Sequence, residues 1–231
     1  MTDLFLRGSD FSDSASASSR TVNKITGTLS TDVSFALVTR YNSTTVPNST
    51  PSGWALVPGT TYREVGLLDY CALWYKIGAV ETSYTWGWTT STKVNVGVYT
   101  LYGDIDLDDL FDVVSDTVYN TNDTIIRAAS MNVSKPNSPL IWFGAQYSST
   151  EETMAVPSSP ISFTADPSSD AYGTTDSDLY NRIGYGVWSS SGSTGNMDGT
   201  LETSALSKHA FAVALNPIIQ NDNALFLGGG F

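Results

Sequence analysis

The sequence predicts an all-β protein: a β-sandwich, jelly-roll-like, with one short helix and extended arms at both ends. Three observations predict it. Apolar residues alternate with period two in several runs, the signature of strands with one buried face. Ser, Thr, Val, Tyr and Trp abound while Glu and Lys are scarce, which leaves little from which to build a solvated helix. Clusters of Gly, Pro, Asn, Asp and Ser part the runs at short intervals, as in a sandwich or jelly roll. A chain of 231 residues, 41% hydrophobic and 12% aromatic, suffices for one domain with a real core.

Residues 1–20 open with a short apolar patch, Leu4, Phe5 and Leu6, and pass into Ser/Asp/Ala low complexity. They read as an N-terminal arm, with the sandwich following over 21–217. Strands are expected at 21–29 and 33–40 and, after the breaker cluster at 42–53, at 54–57. The run 67–77 is apolar on both faces, which suits a central strand. In 83–88 the rings of Tyr84, Trp86 and Trp88 share a face, and in 94–102 Val94, Val96, Val98 and Tyr102 do. At 107–114 the period changes. Leu107, Leu110, Phe111 and Val114 stand at i, i+3, i+4 and i+7, with Asp104 and Asp106 where a helix dipole favours acids, so the one helix is expected there. Further strands are expected at 139–147, 160–164, 183–188 and 209–215. In the last, Phe211, Val213 and Leu215 share a face and alanines fill the other. Alternation turns Trp54, Leu73, Tyr75, Val96, Val98, Phe211 and Val213 toward the core.

From Ile218 the chain turns Asn/Asp-rich and ends in Leu225, Phe226, Leu227, three glycines and Phe231, a C-terminal arm over 218–231. Both ends carry Leu-Phe-Leu-x-Gly, large apolar side chains with no local structure to bury them. Leu4, Phe5, Leu6, Leu225, Phe226, Leu227 and Phe231 are therefore the expected assembly contacts.

Chemistry is sparse. A formal charge of −12 and a pI near 4.2 argue against a nucleic-acid-binding surface, which needs clustered Lys and Arg. One Cys makes no internal disulfide, and a lone His supports no zinc cage. Residues 1–20 hold no apolar signal-peptide core and no window reaches 18 apolar residues, so no membrane insertion is expected. Asp104, Asp106 and Asp108 have the 1, 3, 5 spacing of a calcium loop, but position 6 is Asp109 rather than Gly and position 12 is Ser115 rather than Glu. They read as a solvated loop. His209 heads an apolar strand in phase with Phe211 and reads as structural; Cys71 reads as a buried small hydrophobe. No nucleophile elbow, facing carboxylate pair or phosphate loop is present. The expectation is a protein that is not an enzyme and needs no cofactor or metal. Trp86 and Trp88 share a face either as packing or as a platform for sugar rings, with packing favoured.

Five segments carry a family resemblance: Pro51-Ser-Gly-Trp-Ala-Leu-Val57, Leu73-Trp-Tyr-Lys-Ile-Gly-Ala79, Glu81-Thr-Ser-Tyr-Thr-Trp86, Tyr99-Thr-Leu-Tyr-Gly-Asp104 and Ala212-Val-Ala-Leu-Asn-Pro217. In order and spacing they resemble a recurring β-sandwich module of bacteriophage virion proteins, found also in some secreted bacterial proteins, over roughly 21–217. Trp74 stands where a Tyr is usual and Asn216 where a Lys is common. The motifs are structural, so the resemblance implies a fold and no catalytic residues. It implies a virion component made in the bacterial host cytoplasm. The expected role is a capsid decoration protein, a homo-oligomer bound to major capsid or tail proteins through its arms. The alternative is a tail or fibre component that binds a host surface glycan through aromatic loops.

Overall fold

The two halves of the chain build separate antiparallel sheets. The structure, a computed structural model, describes residues 3–63, 68–116, 124–148, 153–166, 179–202 and 207–218. Strands β1 (Leu4–Asn23), β2 (Val33–Tyr41), β3 (Ala55–Arg63), β4 (Leu68–Ile77) and β5 (Ser83–Gly103) come from the first half. They form one five-stranded sheet in the order β1-β5-β2-β4-β3. The second half supplies β6 (Phe111–Ser115), β7 (Ile125–Ala128), β8 (Asn132–Val133), β9 (Ser138–Tyr147), β10 (Met154–Ala155), β11 (Thr164–Ala165), β12 (Leu179–Trp188), β13 (Gly192–Ser193), β14 (Met197–Leu201) and β15 (Ser207–Leu215). These make a second five-stranded sheet, β11-β12-β9-β15-β6, a three-stranded sheet, β10-β14-β7, and the pair β13-β8.

The two large sheets pack face to face as a β-sandwich. Alternation decides which side chains meet there: Val33, Phe35, Leu37, Leu73, Tyr99 and Leu101 from the first sheet, and Ile141, Phe143, Ile183, Phe211, Val213 and Leu215 from the second. A polar bridge sets the two sheets against each other. Asn95 Nδ2 donates to Leu179 O (2.8 Å) and Asn181 Nδ2 to Leu37 O (3.2 Å). Buried amides paired in this way fix one register, since any slip strands them. The outer face of the second sheet is covered too. Leu140, Trp142, Ala210, Ala212 and Ala214 lie beneath Ile126, Met154, Met197 and Leu201 of the three-stranded sheet. That is why β9 is buried at all ten positions and the alanine face of β15 is not a solvent face.

The outer face of the first sheet is covered by its own longest strands. β1 and β5 pair from Leu4↔Gly103 to Asn23↔Ser83, with register shifts between Ser14 and Ala17 and between Ala17 and Ser19. The ribbon does not run straight. Asn23 N donates to Asp10 Oδ2 at 2.8 Å although 13 residues part them, whereas a straight strand would set them roughly 40 Å apart. The ribbon therefore doubles back at its register shifts. Its returning half lays Val22, Tyr84, Trp86 and Trp88 over Ala36, Val38, Ala72, Val94, Val96 and Val98. Small Ser and Ala side chains at 14–19 let the corner coil tightly.

Three expectations are corrected by these observations. Residues 4–20 are not an arm but an edge strand; their low complexity is the composition of the corner. No helix forms at 107–114. Asp106 Oδ1 accepts from the amides of Asp108 (3.1 Å) and Asp109 (3.3 Å), a turn that competes with helix, and Phe111–Ser115 then pairs with β15. Leu107, Leu110, Phe111 and Val114 nevertheless all pack on the main core, so their spacing reported burial rather than helix. Finally, Leu73, Phe211 and Val213 line the core between the sheets and Tyr75 packs against it, but Trp54, Val96 and Val98 belong to the layer under the ribbon.

Candidate assembly surface

Asp32 organises one end of the first sheet. It is 1% exposed, and its carboxylate accepts from Arg7 Nε (2.6 Å), Arg7 Nη2 (3.0 Å) and Leu29 N (2.7 Å). Its carbonyl accepts from Gly78 N at 2.8 Å. Bidentate, charge-assisted bonds of this kind fix geometry as well as charge. They lock together the start of β1, the loop at 24–32 and the loop at 78–82. Arg7 also lies 4.4 Å over the Tyr102 ring, which stacks on Phe5 with centroids 5.3 Å apart. Asp32 holds the Arg7 guanidinium above its ordinary pKa.

A second brace holds the neighbouring loop. Pro51–Trp54 is a turn closed by Trp54 N on Pro51 O (3.3 Å), with Gly53 at φ 74°, a conformation that suits glycine. Lys76 Nζ reaches Ser52 O at 2.8 Å and both Glu81 oxygens at 2.7 Å. Trp54 meets Tyr84 and Trp86 edge to face at 5.0 and 5.3 Å. The hydrogen bond from Lys76 holds the Glu81 carboxyl below the usual carboxylate range, and burial pushes the Tyr84 phenol up to about 12. Glu81 Oε2 also accepts from Val80 N at 3.3 Å, so Val80 is tethered while 91% exposed.

The consequence is a preformed apolar rim. Eight large hydrophobic side chains are exposed among the described residues, and six lie at this end: Phe5, Leu29, Ile77, Val80, Tyr102 and Ile218. The pairs Val33↔Ile77, Val33↔Leu101 and Phe5↔Tyr102 set three of them at the ends of neighbouring strands, Ile77 on the inner face and Phe5 and Tyr102 on the outer. Leu29 and Val80 sit in the braced loops, and Ile218 N donates to Asp104 O (3.2 Å), two residues past Tyr102. Apolar groups already held in place lose little freedom on docking, so their burial is retained as affinity. Of the expected assembly residues, Phe5 faces outward here. Leu4 is 8% exposed within the main core and Leu6 packs against it, so both are used by the chain's own fold. Leu225, Phe226, Leu227 and Phe231 lie outside the described residues; Ile218, from which they follow, is at this end. Leu29, Ile77, Val80, Tyr102 and Ile218 were not singled out from sequence as assembly contacts, because no period marks a surface gathered from several loops. A valine in the turn-like Gly78-Ala79-Val80-Glu81 was the one available signal.

The other reactive side chains singled out from the sequence, His209 and Cys71, lie apart from this end. His209 is buried at the head of β15, its Nε2 2.8 Å from Asp116 Oδ1 and its ring 4.5 Å from that of Phe211. Burial first, and Asp116 second, push the Cys71 thiol well up, the reverse of what a thiolate nucleophile needs. Asp104, Asp106 and Asp108 do not converge; among the described residues no three His, Cys, Asp or Glu side chains do. Trp86 and Trp88 are buried under the ribbon rather than set out as a platform. Arg40, unforeseen from sequence, straps the corner. It is fully buried, donates to Thr45 O and Thr90 O at 2.9 Å each, and lies 4.9 Å over Trp88; burial pulls it down to about 10. No family model matches the chain, and no curated protein matches it either.

Proposed function

We propose that this chain is a non-enzymatic structural subunit of a bacteriophage virion, a capsid decoration protein that docks through the apolar rim. The observation that carries the reading is the gathering of six exposed hydrophobic side chains at one braced end of the sandwich. A rigid apolar end fits a protein whose work is to be held in an assembly. The virion context rests on the resemblance of the five motif segments; in three of them Trp54, Lys76, Glu81, Tyr84 and Trp86 meet as a structural brace. Many copies on a shell turn a modest contact into firm attachment. Leu225, Phe226, Leu227 and Phe231 follow Ile218 in the sequence and are proposed to add to the docking contact.

The test is incorporation into particles. Leu29→Ser/Val80→Ser should melt like the wild type yet fall well below wild-type occupancy on purified particles, and deletion of 219–231 should weaken attachment further. Occupancy unchanged in both variants refutes docking at this end. Copy number locates the subunit: hundreds per particle belong to a shell, and a dozen or fewer would move the protein to the tail.

A further inference from the structure

The docking end is acidic as well as apolar, and we propose that its partner is a different protein offering basic side chains around an apolar recess, not a second copy of this chain. The inference rests on the docking reading above and adds the partner's chemistry. The acidic run follows directly from the rim. Asp104 N donates to Asp3 O (3.2 Å), Ile218 N to Asp104 O (3.2 Å), and Asp106 N to Asn216 O (2.9 Å), so Asp3 and 104–109 edge the Phe5, Tyr102 and Ile218 side. Asp3 and Asp108 are exposed, and the Asp109 side chain is 72% exposed.

Of the cations at this end, Arg7 and Lys76 are turned inward, and half-buried Lys24, beside the 78–82 loop, stands against the five carboxylates of Asp3, Asp104, Asp106, Asp108 and Asp109. Arg7 is held by the buried Asp32 and by the Tyr102 ring. Lys76 is enclosed by Glu81 and Ser52 O. Lys135, 3.7 Å from Asp109, is the cation that faces the run. What a partner meets is therefore hydrophobic and anionic. A second copy docked rim to rim would bring two acidic ends together, and charges closer than the Debye length of about 8 Å at physiological salt repel with little screening. The formal charge of −12 adds to that repulsion. Nucleic acid and anionic bilayers are disfavoured on the same ground. A basic protein surface reverses the sign, steering encounter through the aspartates while the apolar side chains supply the dry contact.

The experiment uses the intact chain and three short labelled peptides: alternating Lys-Leu, Glu-Leu and Lys-Ser. The Lys-Leu peptide should bind at least about tenfold more tightly than either control, with hydrogen-exchange protection confined to the docking end, residues 3–7, 24–32, 77–82, 102–109 and 216–218. Its affinity should fall about tenfold at high salt, in Asp108→Lys/Asp109→Lys, and in Leu29→Ser/Val80→Ser, each variant melting like the wild type. Ultracentrifugation should show the same species for the wild type and for Leu29→Ser/Val80→Ser. Equal binding of Lys-Ser, or protection elsewhere, overturns the proposal, because charge alone would then explain the contact. So does a dimer that Leu29→Ser/Val80→Ser dissolves; that result makes a second copy the occupant and leaves docking at the rim intact. Failure of the docking reading itself appears separately, as wild-type particle occupancy of that same variant.

Discussion

Leu4→Ala and Phe5→Ala, one residue apart, should differ sharply in stability. Leu4 is 8% exposed in the main core and Phe5 is 47% exposed on the rim, a contrast that exists only if 4–23 is a paired strand. Removing a buried leucine side chain costs about 2–5 kcal/mol, and the end of an edge strand relaxes readily, so about 2–3 kcal/mol is expected. Phe5 loses a ring stacked at 5.3 Å on Tyr102, worth about 0.5–1.5 kcal/mol beyond a half-exposed area. The Leu4→Ala midpoint should therefore fall by about 4–12 °C, at about 2–4 °C per kcal/mol for a domain of this size, and Phe5→Ala by a few degrees at most. Urea titrations with an unchanged slope provide the free energies. If Leu4→Ala lies within about 0.5 kcal/mol of wild type, the range of an ordinary surface substitution, these residues are a loose arm after all. Phe5→Ala has the opposite profile in docking: nearly wild-type stability with reduced particle occupancy.

Glu81→Gln tests the brace through pH. The folded pKa of Glu81 is depressed by Lys76, so the pair's contribution is present above the unfolded value of about 4.3 and is lost as pH falls through the folded value. The wild type should exceed Glu81→Gln in urea midpoint at pH 7, the gap closing on acidification; a gap independent of pH would mean the pair contributes nothing through its charge. Gly199→Ala should destabilise by about 1–3 kcal/mol, because the new Cβ would stand 2.6 Å from Trp142 Cζ2 and 2.9 Å from Ala155 O; a neutral result would show that the second core has slack. Cys71, the single thiol, should resist a disulfide reagent in native buffer and react in urea at the rate of global unfolding. Prompt native labelling would place it at the surface.

The central strands were legible because burial on both faces leaves a strong pattern. The expected 33–40, 67–77, 139–147 and 209–215 agree with β2, β4, β9 and β15 to within two residues at each end. His209, expected at the head of its strand in phase with Phe211, is buried there against Asp116 and Phe211. The N-terminal strand was illegible for a physical reason. At the corner of a doubled-back ribbon the chain needs small side chains more than alternating ones, and Ser14 to Ser19 look like a linker. Position 107–114 misled in the other sense. A turn followed by an edge strand can present four apolar residues to one core at helical spacing. The apolar rim was beyond reach, because residues near 5, 29, 77–80, 102 and 218 come to one end only through strand register and loop contacts.

Sequence motif and apolar rim are nevertheless joined by one chain of contacts. The Pro51–Trp54 turn, Lys76 and Glu81 were selected as fold markers, and in the fold they do a single job: Ser52 O and the Glu81 carboxylate share the Lys76 ammonium. The same carboxylate accepts from Val80 N, so the pair that secures the aromatic layer under the ribbon also sets the most exposed side chain of the rim. Asp32 plays the matching part on the other side, holding Arg7 beneath Tyr102 and the amides of Leu29 and Gly78. Both braces spend their cations internally, and the surface beyond them is left apolar and negative. On the docking proposed above, a partner would meet side chains whose ordering was settled during folding, and the rim's hydrophobic area would not be offset by the entropy of arranging it.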